Sequence, residues 1–150
     1  MQEIEYKFLV DKSRWATVQK PVPTLIVQGF ISKSKEAVVR VRIKGDKGFL
    51  TIKGKSEGIS RQEFEYEIPV IEAEELLSNF THKQIRKHRY EIEVHGKTWE
   101  VDEFHGALEG LVIAELEVES ESESFEKPEW VTEDVSTDPA YYNAVLIDRC

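Results

Sequence analysis

Four pairs of like charges stand two residues apart: Glu3 and Glu5, Arg40 and Arg42, Lys87 and Arg89, Glu115 and Glu117. On an extended strand such residues share a face, where they repel one another unless something neutralises them. Clustered carboxylates suit a hard divalent cation such as Mg²⁺ or Mn²⁺, which takes oxygen ligands and can keep waters for chemistry. Clustered Arg and Lys suit a polyanion, the guanidinium as a fixed donor fork and the ammonium as a flexible point charge. With Lys7, Lys53, Glu63, Glu65 and Asp102, the charged faces carry seven acidic and six basic side chains. Both kinds together point to a metal–polyphosphate complex rather than to either ligand alone. Alternation by itself is equally satisfied by a sheet whose charged face lies in water.

Other chemistries find less support. His82, His88, His95 and His105 lack the compact spacing of a zinc site, and Gly45-Asp46-Lys47-Gly48 lacks the pattern of a phosphate-binding P-loop. The lone cysteine, Cys150, permits no internal disulfide and leans toward a reducing compartment. The 150 residues have a formal net charge of −9, from 20 Lys plus Arg against 29 Asp plus Glu. That balance opposes nonspecific binding to nucleic acid or an anionic membrane, so an anionic ligand needs a local basic site. The opening MQEIEYKFLV is acidic where a secretory signal would be basic, and no long apolar run follows. A cytoplasmic protein of one domain, residues 1–150, is expected.

The elements that must position these groups are mostly strands. Glu3, Glu5 and Lys7 alternate with Ile4, Tyr6 and Phe8. Further extended segments are expected at 24–32, 37–44, 48–53, 62–70, 85–94, 97–104 and 111–119. Hairpins are expected around Gly45-Asp46-Lys47 and around His95-Gly96. Asp11 can cap a short helix from Lys12 to Gln19, IEAEELLSNF (Ile71 to Phe80) reads as a second helix, and the tail from Asp138 (DPAYYNAVLI) permits a third that sets apolar groups against the sheet. Trp15, Trp99 and Trp130 read as core or cap residues.

In order along the chain stand EIEYK (Glu3–Lys7), VRVR (Val39–Arg42), TIK (Thr51–Lys53), EFEYEI (Glu63–Ile68), RKHRY (Arg86–Tyr90), VDEF (Val101–Phe104) and AELEVE (Ala114–Glu119). This series resembles the CYTH superfamily of triphosphate tunnel metalloenzymes, in particular its compact bacterial members, over nearly the whole chain. The resemblance implies a mainly β (α+β) fold: a closed antiparallel barrel of about eight strands, charged inside, with short helices packed on its apolar exterior. It makes Glu3, Glu5, Glu115, Glu117 and Asp102 candidate ligands for Mg²⁺ or Mn²⁺. Lys7, Arg40, Arg42, Lys53, Lys87 and Arg89 become candidate phosphate-binding residues. Lys87, Glu63 and Glu65 are the catalytic candidates, for orienting or activating water; an ordinary ammonium is protonated, so Lys87 acts as a base only with a depressed pKa.

The activity implied is metal-dependent hydrolysis of inorganic triphosphate to diphosphate and phosphate, on a small polyanionic substrate without nucleic acid or membrane, in a chain for which a homodimer stays open. Alternatives are hydrolysis of nucleoside or thiamine triphosphate, adenylate cyclisation, and noncatalytic polyphosphate binding. Two departures from the family pattern stand out. Phe30 replaces the tyrosine of a QGY-like segment, which puts turnover in doubt, and Tyr6 occupies a commonly basic position in the opening motif. Asp134-Val135-Ser136 and Tyr141-Tyr142-Asn143 look like modified forms of the family's EVT and YxN signatures.

Overall fold

The alternating segments fold as nine strands in a computed structural model that describes residues 1–150: β1 (Gln2–Val10), β2 (Thr24–Lys33), β3 (Ala37–Lys44), β4 (Lys47–Gly54), β5 (Ser60–Ile68), β6 (Ile85–Val94), β7 (Lys97–Phe104), β8 (Val112–Glu117) and β9 (Val131–Asp134). Neighbours run antiparallel in the order β5-β4-β3-β2-β6-β7-β8-β1, and β1 returns to β5 to close an eight-stranded barrel. Both expected hairpins form. Gly45 takes φ 62°, and His95 and Gly96 take φ 52° and 75°, the left-handed pair that a two-residue turn between twisted strands requires.

The barrel closes over a short seam. Only Gln2 to Ile4 of β1 pair with β5, after which the same edge of β1 passes to β9 through Phe8↔Asp134 and Val10↔Val131. Between these stretches the Glu5 N–H donates to the Ile59 carbonyl at 3.0 Å, and the Lys7 N–H donates to Ser136 Oγ at 2.9 Å. The ninth strand has four residues, only the first of them buried, too short to register as a period of two.

Two apolar layers cover the outside. One joins Phe8, Trp99, Val101, Ala114 and Leu116 of the strands to Trp15 and Trp130. Trp15 comes from α1 (Lys12–Ala16), whose N-terminus is capped by Asp11 Oδ1 accepting from the Ser13 and Arg14 N–H groups, each at 3.1 Å. The helix stops short of Gln19 because Thr17 donates its hydroxyl to the Arg14 carbonyl at 2.8 Å and caps the C-terminus. The second layer sets Ala73 and Leu77 of α2 (Val70–Phe80) on Val41. A Cβ at Gly48 would come within 2.7 Å of Ala73 Cβ, so glycine there lets the helix seat this closely.

The third helix, α3 (Asn143–Leu146), continues into a short 3₁₀ turn. Leu146 and Ile147 pack with Ile85, Phe104, Leu108 and Ile113. Through Gln28↔Ile85, Lys87↔Phe104 and Asp102↔Ile113, three of these share the face of the charged residues. One end of the interior is therefore apolar and covered by the C-terminal segment, while the remainder is charged. No helix is long and apolar enough to cross a membrane.

Candidate functional site

Cross-strand register assembles the charged residues. Glu5 stands opposite Glu117 and Lys7 opposite Glu115 between β1 and β8, while Glu100 stands opposite Glu115 between β7 and β8. The result is a group of three carboxylates, Glu5, Glu100 and Glu115, each offering an oxygen within 4.8 Å of the others. Lys7 bonds to Glu115 and lies 3.3 Å from Glu5. Behind the group, Arg89 holds Asp102 through two bonds of 2.8 and 2.9 Å and reaches Glu115 at 2.9 Å and Glu100 at 3.2 Å. Lys87 sits 2.8 Å from Asp102, both side chains almost wholly out of solvent.

The facing arc of the barrel carries further cations. Arg40 and Arg42 of β3 reach Glu65 at 3.3 and 3.2 Å, and Thr51 donates to the same carboxylate at 2.8 Å. Lys53 of β4 lies 3.0 Å from Glu3 and 3.1 Å from Glu63. A cavity of about 610 Å³ runs beside these groups, lined by Glu3, Glu5, Lys7, Arg40, Lys53 and Asn143 among others. The Nε–H groups of Arg40 and of Arg61, a further lining residue, have no acceptor within the chain. Buried donors without partners are rare in folded proteins, and both belong to residues of the cavity wall.

Electrostatics divides the carboxylates. Burial and the nearby Glu115 push Glu5 up to about 8, against the partial relief of Lys7. Burial would raise Glu115 as well, but Lys7, Arg89 and Lys87 hold it well below the ordinary carboxylate range. Asp102 is likewise held down against burial by Arg89 and Lys87. Burial lowers Lys87 to about 8, with Asp102 opposing, and burial with the neighbouring Arg42 lowers Arg40 to about 10, still a cation at neutral pH.

Of the metal candidates read from sequence, Glu5 and Glu115 join the three-carboxylate group. Glu3 lies with Lys53, and Glu117 is exposed at a second recess shared with Glu91, Glu100, Glu119 and Glu123. Asp102 lies apart, between Lys87 and Arg89. Glu63 and Glu65 are ion-paired with Lys53 and with Arg40 and Arg42. Glu100 escaped the sequence reading although it shares Asp102's face two residues earlier, a spacing that period two makes visible. Gln28 and Asn143 stood in the QGY-like and YxN-like segments but were given no role, since a search for alternating charge passes over amides.

The pattern described as CYTH domain matches residues 1–144. The chain belongs to the CYTH family. An inorganic triphosphatase of Acetivibrio thermocellus is 50% identical over 147 residues, covering 97% of this chain and 93% of that protein. An inorganic triphosphatase of Nitrosomonas europaea is 34% identical over 150 residues, covering 97% of each. The crystal structure of the inorganic triphosphatase NE1496 matches with a TM-score of 0.67 at 31% identity, covering 97% of this chain and 93% of that one.

In this CYTH chain the grouping of Glu5, Glu100 and Glu115 fits a divalent metal: three converging oxygen donors, one of them raised by burial and by its neighbour Glu115. Because a ligating carboxylate must be ionised, metal binding to this group expels the proton that Glu5 holds below about pH 8. Apparent Mn²⁺ affinity therefore rises by roughly tenfold per pH unit up to about pH 8 and then levels. Calorimetric titration at several pH values measures it, and an affinity flat across this range would remove Glu5 from the ligand set.

Proposed function

We propose that the chain is a single CYTH domain, residues 1–150, that hydrolyses inorganic triphosphate to diphosphate and phosphate with Mg²⁺ or Mn²⁺. The observation that carries this reading is one cavity lined by Glu5, Lys7, Arg40 and Lys53, in which Glu5 is also a member of the three-carboxylate group with Glu100 and Glu115. The chain's similarity to the inorganic triphosphatases of Acetivibrio and Nitrosomonas supports it. When bound, the metal neutralises charge on phosphoryl oxygens and acidifies a coordinated water.

The chain's own residues supply the rest. Arg40, Arg42, Lys53, Lys7 and Arg89 surround the phosphate chain with fixed positive charge, stabilising oxygens that gain charge as the terminal bond breaks. Glu65 and Glu63 hold Arg40, Arg42 and Lys53 in place through their ion pairs. Lys87, with its lowered pKa, orients the attacking water or carries its proton. Water oxygen bonds to the terminal phosphorus, the bond to the bridging oxygen breaks, diphosphate leaves and a proton is released. Glu3 and Glu117 adjoin the metal group, and Asp102 acts as the counterion of Lys87 and Arg89. A cytoplasmic setting accords with the lone Cys150 and the net charge of −9.

Product-resolved phosphate release from inorganic triphosphate, ATP and thiamine triphosphate, with chelator, Mg²⁺ or Mn²⁺, tests the reading. Metal-dependent, preferential turnover of inorganic triphosphate is expected. Preferential thiamine triphosphate or ATP hydrolysis, cyclic AMP with diphosphate, or binding without turnover would each overturn it. Arg40→Ala is expected to raise KM for triphosphate by on the order of 10²-fold, since it removes a charge-assisted contact from a desolvated site. Steady-state kinetics on the folded variant checks this.

A further inference from the structure

Asn143 enters the barrel from the C-terminal segment. Its Oδ1 accepts from Gln28 Nε2 at 3.1 Å and from Lys87 Nζ at 3.2 Å. Two donors on one oxygen determine which way the amide faces, because the reversed rotamer would set its NH₂ group against a buried ammonium and a second NH₂. Gln28 and Lys87 are both buried, so the arrangement is held from within the wall. The segment itself is anchored on both sides. Leu146 and Ile147 sit in the apolar end of the barrel, and Lys33 Nζ donates to the Ala144 carbonyl at 2.8 Å and to Asp148 at 2.6 Å.

The other end of the amide is free. Asn143 lines the same cavity as Arg40 and Lys53, yet its Nδ2 donates to nothing in the chain and is not among the sealed, unpartnered polar atoms. We infer that Asn143 is a substrate-binding residue whose Nδ2 donates to a phosphoryl oxygen, with Gln28 and Lys87 holding the amide in that orientation. This rests on reading the cavity as the triphosphate site. A neutral donor adds a directed contact without adding charge to a wall already rich in cations. It also makes the C-terminal segment part of the site as well as the cover of the barrel's apolar end.

The test measures inorganic triphosphate binding by calorimetry with chelator and again with Mn²⁺, alongside steady-state kinetics and thermal unfolding. Asn143→Ala is expected to weaken binding about tenfold and to raise KM similarly, with kcat changed less than about threefold, as for the loss of one hydrogen bond to a charged group. Gln28→Leu does not touch the cavity but frees the amide to turn, and it is expected to weaken binding about threefold. Wild-type affinity and KM in folded Asn143→Ala, while Lys53→Ala loses both, would overturn the inference and leave the proposed function standing. Binding without hydrolysis by the wild type, weakened in Asn143→Ala, would overturn the hydrolase reading and uphold the inference. Wild-type protein that binds triphosphate under neither condition would overturn both.

Discussion

Glu5→Gln loses metal-dependent turnover by on the order of 10²- to 10³-fold while its metal-free thermal midpoint at pH 7 lies above that of the parent. The separation follows from the state of Glu5 without metal. Burial and Glu115 raise its carboxyl to about 8, so at neutral pH it is already largely uncharged and glutamine is close to isosteric with it. A carboxyl raised in the folded state contributes stability at low pH that is lost as pH rises through the folded value. The metal-free parent therefore matches Glu5→Gln in acid, weakens relative to it as pH rises from the ordinary 4.5 to about 8, and the variant's advantage levels off above that.

Glu115→Gln contrasts with it, because Glu115 is held ionised and pairs with Lys7 and Arg89. Removing its charge abolishes turnover as well, and also costs about 3 kcal/mol of folding stability by stranding part of two buried cations. Turnover assays with paired thermal melts check both variants. Equal destabilisation by the two substitutions would mean that Glu5 is a structural anion rather than a metal-binding group.

The contrast marks what sequence can and cannot convey here. Alternation identified Glu5 and Glu115 as members of charged faces, because their spacing is a property of one strand. Their different electrical states depend on which strands become neighbours. Lys7 lies opposite Glu115 and Arg89 reaches it from β6, whereas Glu5 faces Glu117. Whether charged faces point inward is also a matter of closure. The alternating pattern left a solvated sheet open, and the resemblance to CYTH proteins supplied the barrel.

What the sequence reading missed has similar causes. Glu100 sits between Thr98 and Asp102 on one face of β7, but the motif quoted from that strand began at Val101. The tail was legible as an apolar helix, and its Leu146 does pack, yet nothing in its composition announces that Asn143 meets Lys87 across 56 positions of chain. Phe30, the departure that put turnover in doubt, borders the cavity while packing against the apolar end.

Asp102→Asn is expected to cost about 3–5 kcal/mol of stability, lowering the thermal midpoint by roughly 10 °C, while Mn²⁺ affinity of the folded variant at pH 8 changes less than about threefold. The resemblance to CYTH proteins made Asp102 a ligand candidate and grouped it with the metal-binding residues. Its neighbours in the fold are cations. Both oxygens are engaged by Arg89, one also meets Lys87 at 2.8 Å, and the three-carboxylate group forms without it.

Asparagine keeps the shape but leaves Lys87 without its compensating charge in a place where solvent cannot reach it. Lys87, already lowered to about 8 by burial, then gives up its proton more readily. Arg89 retains Glu115 and Glu100, so the loss falls mainly on Lys87. Since Asp102 is held below its ordinary 3.8, its contribution is present above that pH and is lost only as acid takes the carboxylate through its folded value. The midpoint difference between parent and variant should therefore persist at pH 5 and collapse in stronger acid. A stable Asp102→Asn that binds Mn²⁺ more than 100-fold more weakly would return Asp102 to the metal and require the carboxylate group to rearrange around it.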